Sequence, residues 1–262
     1  MKIIDCHCHI FPDKIAGKAV EAIGHFYGLP MEENGTASDL IEKGAEAGIS
    51  RFVVHSVATT PHQVMSIDDF ISRECVKHPG FIGFASLHPD LDTLEEECSR
   101  IKELGLKGVK FHPDFQEFYI DEDRALRMYE LIPEDLPILF HMGDAKRTFS
   151  EPARLARVAA LFPGRKFIAA HFGGYHAWDE SRKWLIGKTE VYMDTSSSLF
   201  MLDREEAVRM IHDHGVSRFL FGTDFPMWNP KEELARFLKL DLSTEEREAI
   251  LHKNAEQLFG LL

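Results

Sequence analysis

Seven of the 14 histidines lie at or just past the end of a short run of β-branched, aromatic and other apolar residues, and Asp224 follows the last run. Such runs are typical of β-strands. Imidazole nitrogen and carboxylate oxygen suit a borderline divalent cation such as Zn²⁺, and a catalytic site leaves one position to water or substrate. The residue types therefore indicate a catalytic metal centre. The histidines are His7, His9, His55, His88, His112, His141 and His171.

His7 and His9 form the most specific pair, since a single residue separates them. Alternate residues of a strand point to the same side, so both imidazoles can bind one metal ion. The same alternation places Cys6 and Cys8 on the opposite side, where we expect buried thiols rather than ligands. A metal held in this way polarises a carbonyl and lowers the pKa of its water from about 15.7 toward ~7, which is sufficient for hydrolysis at neutral pH.

The runs that position these residues alternate with helical patterns along the chain. Strand then helix, repeated, predicts a parallel sheet, and eight such units in 262 residues close more readily into a (β/α)8 TIM barrel than into an open, doubly wound sheet. We therefore expect one α/β barrel domain over residues 1–262. The carboxyl ends of barrel strands converge on one face, which brings the histidines and Asp224 together. The predicted strands are residues 3–7, 51–56, 81–87, 108–112, 138–141, 166–171, 191–195 and 219–223.

The connection after the first strand is long, residues 10–37, and its stretch 13–26 has a helical pattern. Loops that follow barrel strands line the active face. This insert is therefore expected to form a lid or a substrate wall, with a plain surface helix as the alternative. Phe11, Trp178 and Trp228 also lie in such connections, either as walls for an aromatic substrate or as packing residues.

Composition argues against several classes of protein. The formal net charge is −13, from 30 basic and 43 acidic residues, so a nucleic-acid backbone would be repelled and nucleic acid is not an expected partner. No run reaches the ~18 apolar residues of a membrane span, and the first residues enter a strand pattern without a signal-peptide core. We expect a cytoplasmic protein with no membrane partner, whose four cysteines are reduced.

Five short motifs carry a resemblance to a known family. Together, and in this order, they resemble the amidohydrolase superfamily. More narrowly, they are similar to its branch that contains aminocarboxymuconate-semialdehyde decarboxylase and the resorcylate decarboxylases. The resemblance spans nearly the whole chain. The motifs are DCHCH at 5–9, GVKFHP at 108–113, HMG at 141–143, HFGG at 171–174 and FGTDFP at 221–226.

The resemblance implies a ligand set for one divalent metal, which we expect to be Zn²⁺. The His-x-His of the first strand implies His7 and His9 as ligands, the histidine of the fifth strand implies His141, and the aspartate after the eighth implies Asp224. The same resemblance makes Asp224 and His171 the catalytic residues. His171 is expected to act as general acid or base on water or substrate, with a role as a fifth ligand as the alternative.

Three further residues are candidates for substrate binding. In other amidohydrolases a strand-four lysine is carboxylated and bridges two metals, whereas in the closer branch Lys110 would bind a substrate carboxylate as a point charge. A second metal is expected only in the first case, and a structural lysine is a third option. His112 shares the strand face of Lys110 and either contacts substrate or metal or caps the turn before Pro113. Arg147 suits a bidentate contact with a carboxylate, or else is solvated.

The resemblance implies a metal-dependent enzyme. We expect hydrolysis of a C–N or C–O bond in a small, carboxylated metabolite through metal-activated water. The alternative is a lyase that decarboxylates or hydrates such a substrate, because both reactions need a polarised oxygen. A metal-dependent deoxyribonuclease, whose strand-four glutamate is missing here, and a non-catalytic metal-binding barrel are the remaining hypotheses. The expected partner is a small-molecule substrate, and a homodimer is left open.

Overall fold

Short parallel strands form the centre of the computed structural model, which describes residues 2–261. The segments are β1 (Ile4–His9), β2 (Arg51–His55), β3 (Phe81–Gly83), β4 (Ala85–Ser86), β5 (Val109–Phe111), β6 (Ile138–Phe140), β7 (Phe167–Ala169), β8 (Tyr192–Asp194) and β9 (Phe219–Leu220). These nine segments occupy eight positions, because β3 and β4 are halves of the predicted strand 81–87. Phe84 separates them, and its N–H donates to the Val54 carbonyl at 2.9 Å, whereas the Ala85 N–H donates to Gly108 at 2.9 Å.

The barrel closes where the chain after β9 returns to β1. The Cys6 N–H donates to the Phe221 carbonyl at 2.8 Å, and the Asp224 N–H donates to the His7 carbonyl at 2.9 Å. The His9 N–H continues the ladder to Phe225 at 2.7 Å. The predicted (β/α)8 barrel is therefore confirmed, and an open sheet is excluded.

Helices follow the strands and cover the outside of the barrel, as the repeated pattern predicts. None of the helices within residues 2–261 is long and apolar enough to cross a membrane. The helices are α1 (Asp13–Tyr27), α2 (Ala37–Ala47), α3 (Val64–Lys77), α4 (Leu94–Glu103), α5 (Pro113–Gln116), α6 (Asp123–Leu131), α7 (Pro152–Leu161), α8 (Trp178–Trp184), α9 (Arg204–His214), α10 (Pro230–Phe237), α11 (Thr244–Glu248) and α12 (Asn254–Phe259), the last two joined by a π-helical turn (Ala249–Lys253). Two short helices were not predicted: α5, which lies in the loop between β5 and α6, and α8, which is the α-helix between β7 and β8.

An apolar cluster fills the barrel interior and closes its lower end. Ala255 and Leu258 of α12 pack against it from below. The next side chain on the same face of a strand, two residues nearer its carboxyl end, is polar. His55 lies two residues after Val53, and His141 lies two residues after Leu139. The polar site therefore rests on an apolar layer that does not depend on it. The interior strand residues are Ile4, Cys6, Val53, Ile82, Phe84, Leu139, Ile168, Ala170 and Leu220.

Cys6 departs from the alternation expected along the first strand. The pairing of β1 with β2 shifts register between Asp5 and Cys8, which is the signature of a bulge. Cys6 consequently packs in the interior cluster, on the same side of the sheet as His7, whereas Cys8 packs in the outer one. The prediction that both cysteines oppose the histidines was wrong for Cys6 and right for Cys8. All four thiols are free.

Candidate active site

Two histidines of β1 and an aspartate after β9 meet at the carboxyl-terminal face of the barrel. Asp224 Oδ1 lies 3.3 Å from His7 Nε2 and 3.5 Å from His9 Nε2. Ligand atoms that share one metal at roughly 2.0–2.2 Å lie about 3.0–3.6 Å apart. Both distances therefore suit pairs of ligands on one metal ion, and these three residues are among the four ligands expected from the sequence.

Hydrogen bonds fix which nitrogen of each ring carries the proton. His7 Nδ1 lies 2.9 Å from Asp194 Oδ2. His141 Nε2 lies 2.8 Å from the Gly143 carbonyl. Carboxylate and carbonyl oxygens only accept, so the proton resides on these nitrogens. His7 Nε2 and His141 Nδ1 are thereby left with lone pairs that face the centre, which is the arrangement that metal binding requires.

His171 meets His141 across the same centre. Its Nδ1 lies 3.1 Å from the Ser196 carbonyl and therefore donates to it, and its Nε2 lies 3.0 Å from His141 Nδ1. When both rings are neutral, the two facing nitrogens are both acceptors and repel one another. A shared proton or a cation between them removes that repulsion. The geometry thus suits either role considered for His171, as a proton donor or as a further ligand.

The backbone at the site is strained. His171 has φ +61°, Asp224 has φ +63° and Ser197 has φ +45°, a left-handed region that residues other than glycine rarely adopt. Ser197 Oγ donates to Asp224 Oδ2 at 2.5 Å, which fixes the carboxylate. Strain of this kind persists where the surroundings over-determine a conformation, as they do at catalytic sites.

Burial keeps the histidines neutral. Desolvation, with a smaller contribution from Lys110, lowers the pKa of His7 from 6.5 to about 4. Burial also lowers the pKa of His9 and takes that of His141 well below its usual range. Burial opposes ionisation of Asp224, but His7 and other nearby histidines outweigh it and hold the pKa of Asp224 well below 3.8. Near neutral pH the site therefore offers neutral imidazoles and a carboxylate, the ionisation states that bind metal.

Lys110 lies beside the candidate metal ligands and has no exposed surface. Its Nζ is 3.1 Å from His7 Nε2, the nitrogen that is free to bind metal. Burial lowers the pKa of Lys110 from 10.5 to about 8, so a neutral amine is accessible near physiological pH. The structure thus places Lys110 beside His7, a candidate ligand, and away from the open cleft.

Helix α1 packs over the histidines at the mouth of the barrel. Tyr27 Oη lies 2.7 Å from His112 Nε2. His112 also caps α5, accepting at Nδ1 from the Phe115 N–H at 3.3 Å, and its ring stacks on that of His141 with 3.9 Å between centroids. The capping role expected for His112 is present, and its other nitrogen faces the insert. The insert is therefore a wall of the site.

A cleft of about 750 Å³ opens between α1 and α3 and reaches His9. Arg147 lies in it, with its guanidinium 4.4 Å from the Phe26 ring centroid and one N–H donated to the Asp114 carbonyl. Trp178 and Trp228 do not line the cleft; their indole N–H groups donate to the His171 carbonyl and to Ser197 Oγ. The apolar walls are formed by Phe11, Pro12, Ile15, Ala19, Ala22, Ile23, Phe26, Val57, Ile67, Phe70 and Phe115.

Three site residues, Asp194, Ser196 and Tyr27, were not predicted in the contacts they make. Asp194 contacts His7, and Ser196 contacts both His7 and His171. Alternation along the seventh strand could have placed Asp194 and Ser196 on the inner face. Tyr27 could be found only from the fold of the insert. His55, one of the seven histidines at the ends of predicted strands, lies with its ring centroid 4.4 Å from that of His9.

Comparison with known proteins gives one family. The model of the family described as amidohydrolase matches residues 4–261. No curated protein matches the sequence. Among solved structures, an uncharacterised TIM-barrel protein from Bordetella bronchiseptica is similar with a TM-score of 0.80 and 20% identity, covering 99% of both chains.

Two decarboxylases share the fold at similarly low identity. A dihydroxybenzoic acid decarboxylase from a Polaromonas species, with manganese and 2-nitroresorcinol bound, has a TM-score of 0.72 and 19% identity, covering 99% of this chain and 97% of the other. A 5-carboxyvanillate decarboxylase from Novosphingobium aromaticivorans, with manganese and a nitrobenzoic acid bound, has a TM-score of 0.76 and 16% identity, covering 99% and 97%. These likenesses show that the barrel is shared over the whole length of the chain.

Proposed function

Because the chain belongs to the amidohydrolase family, we propose that it is a metal-dependent lyase that removes carbon dioxide from a small aromatic carboxylic acid. One observation carries this proposal: an aromatic and aliphatic cleft ends on His9, a candidate ligand, and holds the Arg147 guanidinium. An aromatic ring suits such walls, and a guanidinium binds a carboxylate. Because of this cleft we rank decarboxylation above hydrolysis, whereas the sequence alone favoured hydrolysis.

The similar structures support the same choice. Two of them are decarboxylases of substituted benzoic acids, and both hold manganese with an aromatic ligand that carries a nitro group. In this chain the donors His7, His9, His141 and Asp224 suit one Zn²⁺ ion, and the bound manganese of the relatives makes Mn²⁺ the alternative. When bound, the metal supplies a Lewis acid that polarises a substrate oxygen.

The side chains of this site have separable tasks in decarboxylation. Arg147 binds a carboxylate at the cleft, and α1 excludes water. The bond between the ring carbon and the carboxylate breaks, its electron pair remains on the ring carbon, and carbon dioxide leaves. His171, whose Nδ1 donates to the Ser196 carbonyl, first takes a proton from solvent at Nε2, and the imidazolium so formed delivers that proton to the ring carbon. Asp224, held by Ser197, orients the ligand cluster and its carboxylate remains ionised.

Hydrolysis of an amide or ester of such an acid is the second candidate. The observation that favours it is the contact of Lys110 Nζ with His7 Nε2 at 3.1 Å. A carboxylated lysine at this point would bridge two metal ions, and such paired sites are suited to hydrolysis. The two candidates therefore differ in metal content as well as in product.

A labelled-substrate assay separates these reactions. Purified protein loaded with Zn²⁺ or Mn²⁺ is incubated with mono- and dihydroxybenzoic acids that carry ¹³C in the carboxylate, and with amides and esters of the same acids. We expect ¹³CO₂ equal to the acid consumed, and none from the His7→Ala variant. Release of amine or alcohol without ¹³CO₂ would establish the second candidate. No turnover of either set would overturn both.

A further inference from the structure

We propose that His55 is an additional ligand of the metal bound by His7 and His9, an assignment that rests on the metal dependence of the proposed function. His55 is the last residue of β2. It does not belong to the expected ligand set, and none of the expected ligands lies on β2. Three observations converge on it: its place in the sheet, its unpaired nitrogens and its distance from the two histidines of β1.

The place of His55 in the sheet follows from strand pairing. β1 and β2 are parallel, and His9 is paired in register with His55. Paired residues on neighbouring strands are about 4.8 Å apart and present their side chains to the same face. His9 faces the mouth of the barrel, so His55 faces it too. The His55 ring centroid accordingly lies 4.4 Å from that of His9 and 5.0 Å from that of His7.

The nitrogens of His55 lack partners. The side chain has no exposed surface, and neither Nδ1 nor Nε2 has a hydrogen-bond partner within residues 2–261. Buried polar groups in folded proteins are almost always satisfied, so an orphaned imidazole beside two candidate ligands indicates that something else occupies its lone pair. His88, at the equivalent end of the third strand, shows the contrast: its Nδ1 accepts from the Asp90 N–H at 3.2 Å.

The distances suit a shared ion. His7, His9 and His55 each offer one nitrogen, and these nitrogens lie within 4.8 Å of one another. Nitrogens bound to one metal at about 2.1 Å lie no more than ~4.2 Å apart, so a shift of a few tenths of an ångström brings His55 into the coordination sphere. Asp224 Oδ1 lies 3.3 Å from His7 Nε2 and 3.5 Å from His9 Nε2, so a carboxylate adjoins two of the three imidazoles.

A cysteine probe tests this assignment without reference to turnover. In the His55→Cys variant loaded with Co²⁺, a thiolate within bonding distance of the metal produces an intense near-ultraviolet charge-transfer band. Wild type controls for the native thiols Cys6 and Cys8, and His88→Cys controls for a new thiol at a neighbouring strand end. We expect the band in His55→Cys alone, together with at least a tenfold weaker Co²⁺ affinity for His55→Ala in competition with a chelator.

The outcomes distinguish failure of the ligand role of His55 from failure of the proposed function. Cobalt bound by His55→Cys without the band, or an unchanged affinity of His55→Ala, overturns the role of His55. If neither variant folds, X-ray absorption of the zinc-loaded His171→Ala variant decides, because His171 is the other histidine that could bind: four imidazoles support the assignment, and three or fewer contradict it. Absence of any metal uptake by wild type overturns the proposed function as well. Metal uptake with the band but without ¹³CO₂ release overturns only the decarboxylation.

Discussion

His7 Nδ1 lies 2.9 Å from Asp194 Oδ2, and both side chains are almost wholly buried. The contact fixes the proton on Nδ1 and leaves Nε2 free for a metal. Asp194 Oδ1 in turn accepts from the Ser196 side chain at 2.5 Å and from the His171 N–H at 3.0 Å. The Asp194 carboxylate thus holds three groups in place: the ring of His7 in β1, the hydroxyl of Ser196 and the backbone of His171 after β7. Asp194 does not belong to the predicted ligand set.

Replacing this carboxylate should weaken metal binding without unfolding the barrel. In Asp194→Asn the amide NH₂ can donate to His7 Nδ1 and favour the tautomer whose Nε2 carries the proton. Loss of such an outer contact typically lowers metal affinity about 10–100-fold. The dissociation constant is measured by chelator competition, with Asp213→Asn on the exposed face of α9 as the control. An unchanged constant in Asp194→Asn would show that Asp194 does not set the tautomer.

His171→Ala separates the two roles left open for this residue. As the proton donor, its removal leaves metal content near that of wild type and lowers kcat by about 10²-fold or more. Metal per chain and initial rates are measured on the same preparations, with the exposed His176→Ala as the control. Loss of metal along with activity would make His171 a ligand and contradict the role proposed here.

Arg147→Gln tests the carboxylate contact. The guanidinium lies in the cleft against Phe26, so its loss should remove binding shared by substrate and transition state. We expect KM to rise about tenfold with kcat changed less than twofold. Steady-state kinetics on the acid identified by the ¹³CO₂ assay provide both constants, and the exposed Arg127→Gln serves as control. An unchanged KM would assign Arg147 to packing of the cleft wall alone.

Glu233 on α10 gives a pH dependence of the stability of the fold. Burial raises its pKa from 4.5 to about 7, against the opposing effect of Arg236. A raised folded-state value means that protonated Glu233 stabilises the fold below its unfolded pKa, and that this contribution is lost as pH rises through about 7. Because one pKa unit corresponds to ~1.4 kcal/mol, the loss is at most about 3.5 kcal/mol.

Glu233→Gln should remove that dependence. The free energy of unfolding, from urea titrations of metal-free protein at pH 5 and pH 8, is expected to fall less with pH than in wild type. Glu232→Gln, on the exposed face of the same helix, is expected to retain the wild-type dependence. Equal slopes for wild type and Glu233→Gln would show that the carboxyl group is not neutral in the folded protein.

Much of the fold could be predicted because the chain repeats one unit. Most strands are buried apolar runs, and a polar side chain ends the run at its carboxyl end, as His141 does after Phe140. Boundaries were harder, since Phe84 interrupts a run that is apolar throughout. The bulge in β1 was invisible to strict alternation, which is why Cys6 was placed on the wrong side.

The site was harder to predict where partners are distant in sequence. His7 and His9 can be recognised by their spacing, but Asp194 acquires its role only because closure of the barrel brings β8 close to β1, with β9 between them. Tyr27 reaches His112 through the orientation of α1, which no local pattern specifies. His55 carries no motif, and only the register of β2 against β1 brings it to His9.

Metal content per chain, measured by elemental analysis on protein purified without chelator, tests the central claim most directly. We predict a value near one for wild type and near zero for His7→Ala and Asp224→Ala. Circular dichroism should show an intact barrel in both variants, because the apolar interior does not include the metal-site side chains. A value near two would indicate a carboxylated Lys110 and favour hydrolysis. No metal in wild type after supplementation with Zn²⁺ or Mn²⁺, or unchanged metal in both variants, would contradict the account.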